Sequence, residues 1–181
     1  MKIALITDTH WGVRNDNPAF LNNSKKFLDD IFFPEIEKRN IRHIIHLGDI
    51  VDRRKYININ TLNRLRSDFL DTIKSKEIDF HIIAGNHDVF FKNTNEINFL
   101  REFIQQAYPE FKIYDKYSEI VIFDELPILF IPWITSDNRG QILNDLQTTN
   151  SQVAMGHLEI QGFQMFKGSI SSHGEKDRKS T

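Results

Sequence analysis

Three short apolar runs, KIALIT (2–7), IRHIIHL (41–47) and IDFHIIAG (78–85), alternate with stretches of helical periodicity. In the first stretch Phe20, Leu21, Phe27, Leu28, Ile31 and Phe32 recur at helical spacing within 20–39, and Pro34 is expected to kink its end. In the second, Leu62, Leu65, Phe69, Leu70 and Ile73 do so within 57–76, and a third helix is expected over 95–107. Strands apolar on successive residues are buried on both faces. The strand–helix–strand–helix–strand order therefore predicts a parallel sheet flanked by helices, an α/β fold. The second half changes character. Residues 118–123 and 128–133, joined by a turn over 124–127, predict a hairpin; 138–148 predicts a helix and 152–157 a further strand. No internal repeat or linker divides the chain.

The polar exceptions to this pattern fall at matching places. The first strand ends in Asp8-Thr-His10, the second in Gly48-Asp49 with Asp52 three residues on, the third in Gly85-Asn86-His87-Asp88, and a later one in Gly156-His157. Each has a bland reading when taken singly: a capped turn for the two aspartates, a strand-end turn for Asp8 and His10, a chance histidine for His157. Ligands in open α/β sheets collect beyond the carboxyl ends of strands, and four such clusters converging on one edge make a site the better reading. Glycine before three of them lets the backbone turn sharply and approach a ligand.

The residue types suit two divalent ions, which about 3.5–4 Å apart clamp a phosphate ester and the attacking water. Such a pair needs a bridging carboxylate surrounded by carboxylate, amide and imidazole ligands; Asp8, His10, Asp49, Asn86 and His157 supply that set. Asp52 is left for a different task, since a carboxylate bonded to an imidazole fixes its tautomer, and His87 is the natural partner as acid or transition-state stabiliser. Arg53 adjoins Asp52 and is a candidate phosphate contact, while Arg54 and Lys55 read equally as a solvated turn. His43, His46 and His81 lie within strands and read as packed or edge residues, His46 near enough to support the site. Trp11 and Trp133 read as packing, Asp88 as the anchor of its own loop, and Glu159 and Phe163 as structural.

Composition narrows the chemistry. There are no cysteines, so disulfides and thiolate metal sites are excluded, and the remaining donors suit manganese, magnesium or iron, and also zinc. The net charge of −2 argues against nucleic-acid binding through overall electrostatics but leaves room for a local basic patch. No apolar run approaches the ~18 residues of a membrane span, and the start lacks a signal-peptide pattern. The expectation is a soluble protein without a membrane partner in a reducing cytoplasm.

Taken together, Asp8-x-His10, Gly48-Asp49-x-x-Asp52, Gly85-Asn86-His87-Asp88 and Gly156-His157 resemble the signature of the calcineurin-like metallophosphoesterases. The opening MKIALITDTHWG, the GNHD loop and FIPW (130–133) are most similar to the SbcD-type DNA-repair nucleases and the recombination endonuclease subunit of tailed phages. The resemblance implies an αββα layered sheet sandwich over 1–170. It implies one metal held by Asp8, His10 and Asp49, with Asp49 bridging to a second held by Asn86 and His157, and a catalytic His87 oriented by Asp52. It also implies manganese-dependent phosphodiester hydrolysis on DNA ends, as exonuclease and single-strand endonuclease in recombination and repair, a homodimer and an SbcC-type ATPase partner. GDIVDRR also resembles the serine/threonine phosphatase motif, which keeps a phosphoprotein or small-phosphoester substrate as an alternative.

The family closes its site with a later Gly-His-x-His segment that this sequence does not contain; His173, in SSHGE, is the only candidate left. The expectation is a sandwich lacking its last strands, with 171–181 as a frayed tail. A truncated, non-catalytic binding module therefore remains a further alternative.

Overall fold

The computed structural model describes residues 1–166, 168–170 and 174–176. Strands β1 (Ile3–Ile6), β2 (His43–His46), β3 (Asp79–Ile83) and β4 (Lys112–Tyr114) form a parallel sheet in that order. Strands β5 (Glu119–Phe123), β6 (Leu126–Ile131) and β7 (Val153–Gly156) form a second sheet, with β5 and β6 an antiparallel hairpin and β7 parallel to β6.

Alternation along the strands builds the layers. On one face of the first sheet Ile44, Phe80 and Ile82 pack against Leu28, Phe33, Leu65, Phe69 and Leu70 of the helical stretches. On the other face Ile45, Ile83 and Tyr114 meet Phe123, Ile128 and Phe130 of the second sheet. Ile142, in the helix Arg139–Thr148, covers Leu129 and Ile131 on the far side of that sheet. Helices thus enclose two packed sheets, the expected αββα order.

Three helical stretches depart from the expected shape. Each contains a five-residue wide turn, at Leu28–Phe32, Arg66–Leu70 and Leu100–Ile104, closed by an N–H bonding five residues back. Pro34 follows the first of these and sits in the opening turn of Phe33–Lys38, so it marks a mid-helix irregularity rather than the helix end. The third helix begins four residues later than expected, because the Asn98 side chain accepts from Arg101 N–H at 3.0 Å and caps it. Strand β4 was not expected from the sequence.

Of the expected tail, 171–173 and 177–181 lie outside the described residues, while Glu175–Lys176 pairs in parallel with Ile160–Gln161. No helix among the described residues is long and apolar enough to cross a membrane.

The strand histidines pack as expected. His81 lies between the sheets, with Nδ1 2.9 Å from the Tyr114 hydroxyl and Nε2 3.1 Å from Asp79. His46 is buried on the helix side; its Nδ1 accepts from Gly48 N–H at 3.2 Å, which leaves Nε2 to donate to Thr9 Oγ1 at 3.0 Å. Burial pushes this imidazole down to about 3, so it is neutral in the folded protein. An unfolded histidine binds its proton near pH 6.5, so stability present above that pH is lost as pH falls toward 3. His46→Gln keeps a donor and an acceptor without a titrating ring. We expect the variant's urea-unfolding free energy to lose about 1.4 kcal/mol per pH unit less than wild type between about pH 6 and pH 4. Parallel pH profiles would sink this account.

Candidate metal centre

The β1–β2 pairing continues past the strand ends and builds the site. Backbone N–H groups of Leu47, Asp8, His10, Trp11 and Asp52 donate to the carbonyls of Ile6, Gly48, Asp49, Ile50 and Trp11 at 2.9–3.1 Å. This ladder holds Asp8, His10 and Asp49 in the left-handed region, at φ 53°, 41° and 55°. Each such residue costs about 1–3 kcal/mol, and strained residues of this kind gather at functional sites. The glycines serve two different needs. Gly48 has φ 103° and needs the left-handed freedom. Gly85 and Gly156 have ordinary φ but lie where a Cβ would collide with Asp49 and with the Ile131 carbonyl.

Asp88, expected to anchor its own loop, joins two loops. Its buried Oδ2 accepts from the N–H groups of Asp49 and Gly85, each at 2.8 Å, and its Oδ1 from those of Ile50 and Val51 at 3.0 and 3.4 Å. Burial, reinforced by the Asp49 charge, pushes this carboxyl up to about 7 although the amides pull it down. Asp49 is held in turn from the other loop, its Oδ1 accepting from His87 N–H at 2.7 Å.

The other oxygen of Asp49 is central. Oδ2 lies 3.4 Å from His157 Nε2 and 3.6 Å from His10 Nε2. Two sets of donors share this residue: Asp8, Asp49 and His157 form one, and His10, Asp49 and His87 the other, with ligand atoms within 4.8 Å in each. Asn86 joins the first through Oδ1, 3.0 Å from His157 Nε2. The structure therefore brings together Asp8, His10, Asp49, Asn86, His87 and His157. Asp8 thus stands with Asp49 and His157 and also 3.4 Å from His10 Nε2, while His10 also stands with Asp49 and His87.

The donors fit divalent cations. His157 Nδ1 donates to the Leu47 carbonyl at 3.0 Å, so Nε2 carries a lone pair, and it faces the Asn86 and Asp49 oxygens. Three lone pairs converge there, an arrangement that calls for a proton or a cation between them. His10 is similarly placed: Nε2 is 3.4 Å from Asp8 Oδ1, and its buried Nδ1 has no hydrogen-bond partner among the described residues. A third set, His43, Asp79 and His81, lies at the opposite ends of the strands, where Lys112 already neutralises Asp79 at 2.8 Å.

Two expectations are corrected. Asp52 does hold His87, but through its backbone carbonyl, which accepts from Nδ1; its carboxylate instead lies 3.6 Å from His10 Nδ1. Arg53 is not presented to a phosphate at the site. Its guanidinium pairs with Asp16, bonds Asn15 Oδ1 at 3.2 Å and lies 4.7 Å over the Tyr56 ring. Trp11 is buried in the core as expected, and the half-buried Trp133 stands edge-on to His157 at 6.1 Å. His173 lies outside the described residues. His46 supports the site as its position suggested, whereas the roles of Thr9 as its partner and of Asp16 as the partner of Arg53 had no signal in the sequence pattern.

A family model described as calcineurin-like phosphoesterase matches residues 1–178. Over 175 residues the chain is 35% identical to exonuclease subunit 1 of Enterobacteria phage T4, a match covering 96% of this chain and 50% of that protein. The chain thus spans about half the length of this curated relative.

Asp88→Ala would leave four buried amides without their acceptor. It should lower the unfolding free energy by at least about 3 kcal/mol, against less than about 1 kcal/mol for Asp52→Ala, whose carboxylate is partly exposed. Equal losses in urea titrations would contradict the clamp assigned to Asp88.

Proposed function

The chain belongs to the calcineurin-like phosphoesterase family, and from that premise we propose that it is a divalent-metal-dependent phosphodiesterase acting on DNA. The observation that carries this reading is the Asp49 carboxylate, placed between the imidazoles of His10 and His157 and held by the facing loop. Asp49 would bridge two ions, with Asp8 and His10 completing one site and Asn86 and His157 the other. The alternative grouping, with His87 as a ligand, is the competing assignment. Bound there, the ions would polarise the phosphate ester and make water nucleophilic near neutral pH. A nitrogen- and oxygen-only donor set suits manganese, the ion we propose.

The protein's own groups then act on the substrate. His87, with Nδ1 donating to the Asp52 carbonyl, keeps Nε2 free. Protonated there, it would donate to the charge developing on the phosphate and pass its proton to the leaving oxygen. Asp52 positions His87 through its carbonyl, and its carboxylate lies 3.6 Å from His10 Nδ1.

DNA as substrate is supported by the relative, which is named an exonuclease subunit. That name also supports a partner; we propose an SbcC-type ATPase and a homodimer, with the catalytic domain over 1–170. Release of nucleotides from labelled linear DNA with manganese tests the substrate. Turnover of a phosphopeptide in preference to DNA would overturn it.

Saturating manganese should raise the melting midpoint by about 5–10 °C, as a ligand present at a hundred times its Kd does for a chain of this size. Asp49→Asn should lose both this shift and turnover. His87→Gln should keep most of the shift while turnover falls at least about 100-fold. Loss of the shift in His87→Gln would make His87 a ligand rather than the acid.

A further inference from the structure

The third set of donors, at the far ends of the strands, has the geometry of a metal site in its own right. His43 opens β2 and stands in register with Asp79, which opens β3; His81 follows two residues on. Alternation along the strands puts all three side chains on the face that meets the second sheet. Asp79 Oδ2 is their meeting point, 3.2 Å from His43 Nδ1 and 3.1 Å from His81 Nε2. The three donor atoms lie within 4.8 Å of one another. Ligands of a tetrahedral zinc ion, at bond lengths of about 2.0–2.1 Å, stand about 3.3 Å apart. Both spacings around Oδ2 are close to that value.

The surroundings suit imidazole ligands. His81 is buried, and burial holds its pKa below the ordinary value although Asp79 opposes the shift, so the ring is neutral. Its Nδ1 lies 2.9 Å from the Tyr114 hydroxyl. A ring that donates its Nδ1 proton there turns the Nε2 lone pair toward Asp79, the outer hydrogen bond by which metal-binding histidines are oriented. Phe123 closes the inner side, 4.8 Å from the His81 ring and edge-on to His43 at 5.5 Å. The outer side is open, because His43 and Asp79 are only partly buried. A cation already stands there: Lys112 Nζ, on a half-exposed side chain, is 2.8 Å from Asp79 Oδ1 and 3.0 Å from Oδ2.

We propose that His43 Nδ1, Asp79 Oδ2 and His81 Nε2 form a zinc site, with water in the fourth position and the Lys112 ammonium as the group displaced. Two imidazoles and one carboxylate in tetrahedral array suit zinc, whereas manganese favours oxygen-rich octahedral sites. The ion would tie β2 to β3 at the ends remote from the ligand loops and brace the sheet on which those loops are built. The two metal sites share no residue, so neither assignment depends on the other.

Asp49→Asn, which disables the centre at the other end of the sheet, gives a background in which zinc bound here is read by itself. Isothermal titration of that variant should find one zinc per chain, and cobalt in its place should show the intense visible bands of four-coordination. Adding His43→Ala should abolish both. In otherwise wild-type protein His43→Ala should remove one equivalent of zinc and leave the manganese-induced rise in melting midpoint intact. Lys112→Gln should tighten zinc binding about two- to fivefold, the worth of the exposed ion pair that zinc must break. Tyr114→Phe should weaken it about tenfold, as loss of an orienting hydrogen bond does. Zinc bound equally well without His43, or cobalt bands of six-coordination alone, would mean an adventitious ion only and overturns the site. Zinc affinity unchanged or lowered in Lys112→Gln overturns it as well, leaving a hydrogen-bonded network with the ammonium as a permanent member.

Discussion

A single buried carboxylate holds the centre of this molecule together. Asp88 accepts from four backbone amides, one in its own loop and three in the loop of Asp49. A buried charge costs several kcal/mol in lost hydration, and only a full set of donors offsets that. The geometry is reciprocal, because His87 N–H returns a bond to Asp49 Oδ1. The two loops are therefore fixed as one unit, and Asp49 can be kept in a left-handed conformation it would not adopt alone. The Asp88 carboxyl stands high because burial and the Asp49 charge both oppose its ionisation. A cation next to Asp49 would relieve that opposition, so the clamp and a bound cation would favour each other.

The layers supply what the clamp needs. Parallel strands of the first sheet end at one edge, so side chains far apart in the chain emerge side by side. His46 links two of these ends: its ring is buried and neutral, and it bonds Thr9 on one side and Gly48 on the other. The second sheet brings His157 across, where the absence of side chains at Gly48 and Gly85 leaves room for its ring and for the Asp49 carboxylate. Rigidity here comes from backbone bonds and buried packing, whereas the ligand atoms themselves stay slightly apart, at 3.4–3.6 Å around Asp49. That spacing is wider than a hydrogen bond and suits donors that share a cation.

Much of this was legible in the sequence because both signals are local. An apolar run bounded by polar residues specifies a buried strand, and a ligand just beyond it must lie at the sheet edge. The candidate ligands Asp8, His10, Asp49, Asn86 and His157, and His87 beside them, all stand where that rule puts them. Less legible was anything decided by a partner far along the chain. Arg53 follows Asp52 in sequence, yet its charge is taken by Asp16, 37 residues earlier. Asp52 meets His87 with a backbone atom, and no residue-type pattern reports which atom of a residue is used. Strand β4 has three residues and an exposed lysine at its start, too short for a periodicity to register. Asn95 looked helical by position, but its side chain is drawn to the carbonyls of Asp115 and Trp133, and the helix starts after Asn98.

The segment GDIVDRRKY illustrates how few residues separate the duties of a site. Asp49 faces inward, Asp52 holds His87, Arg53 is spent on structure, Arg54 is half-buried, and Lys55 and Tyr56 face outward. This division answers the apparent conflict between an acidic chain and the polyanionic substrate proposed for it. Net charge governs long-range attraction, but salt screens exposed charges beyond about 8 Å at physiological ionic strength. Within that distance a phosphate at the rim meets the local cations, and the carboxylates clustered deeper in the site are the groups that metal ions would neutralise. A net charge of −2 is therefore no obstacle to acting on DNA. The balance that matters is set by a handful of residues on either side of Asp49.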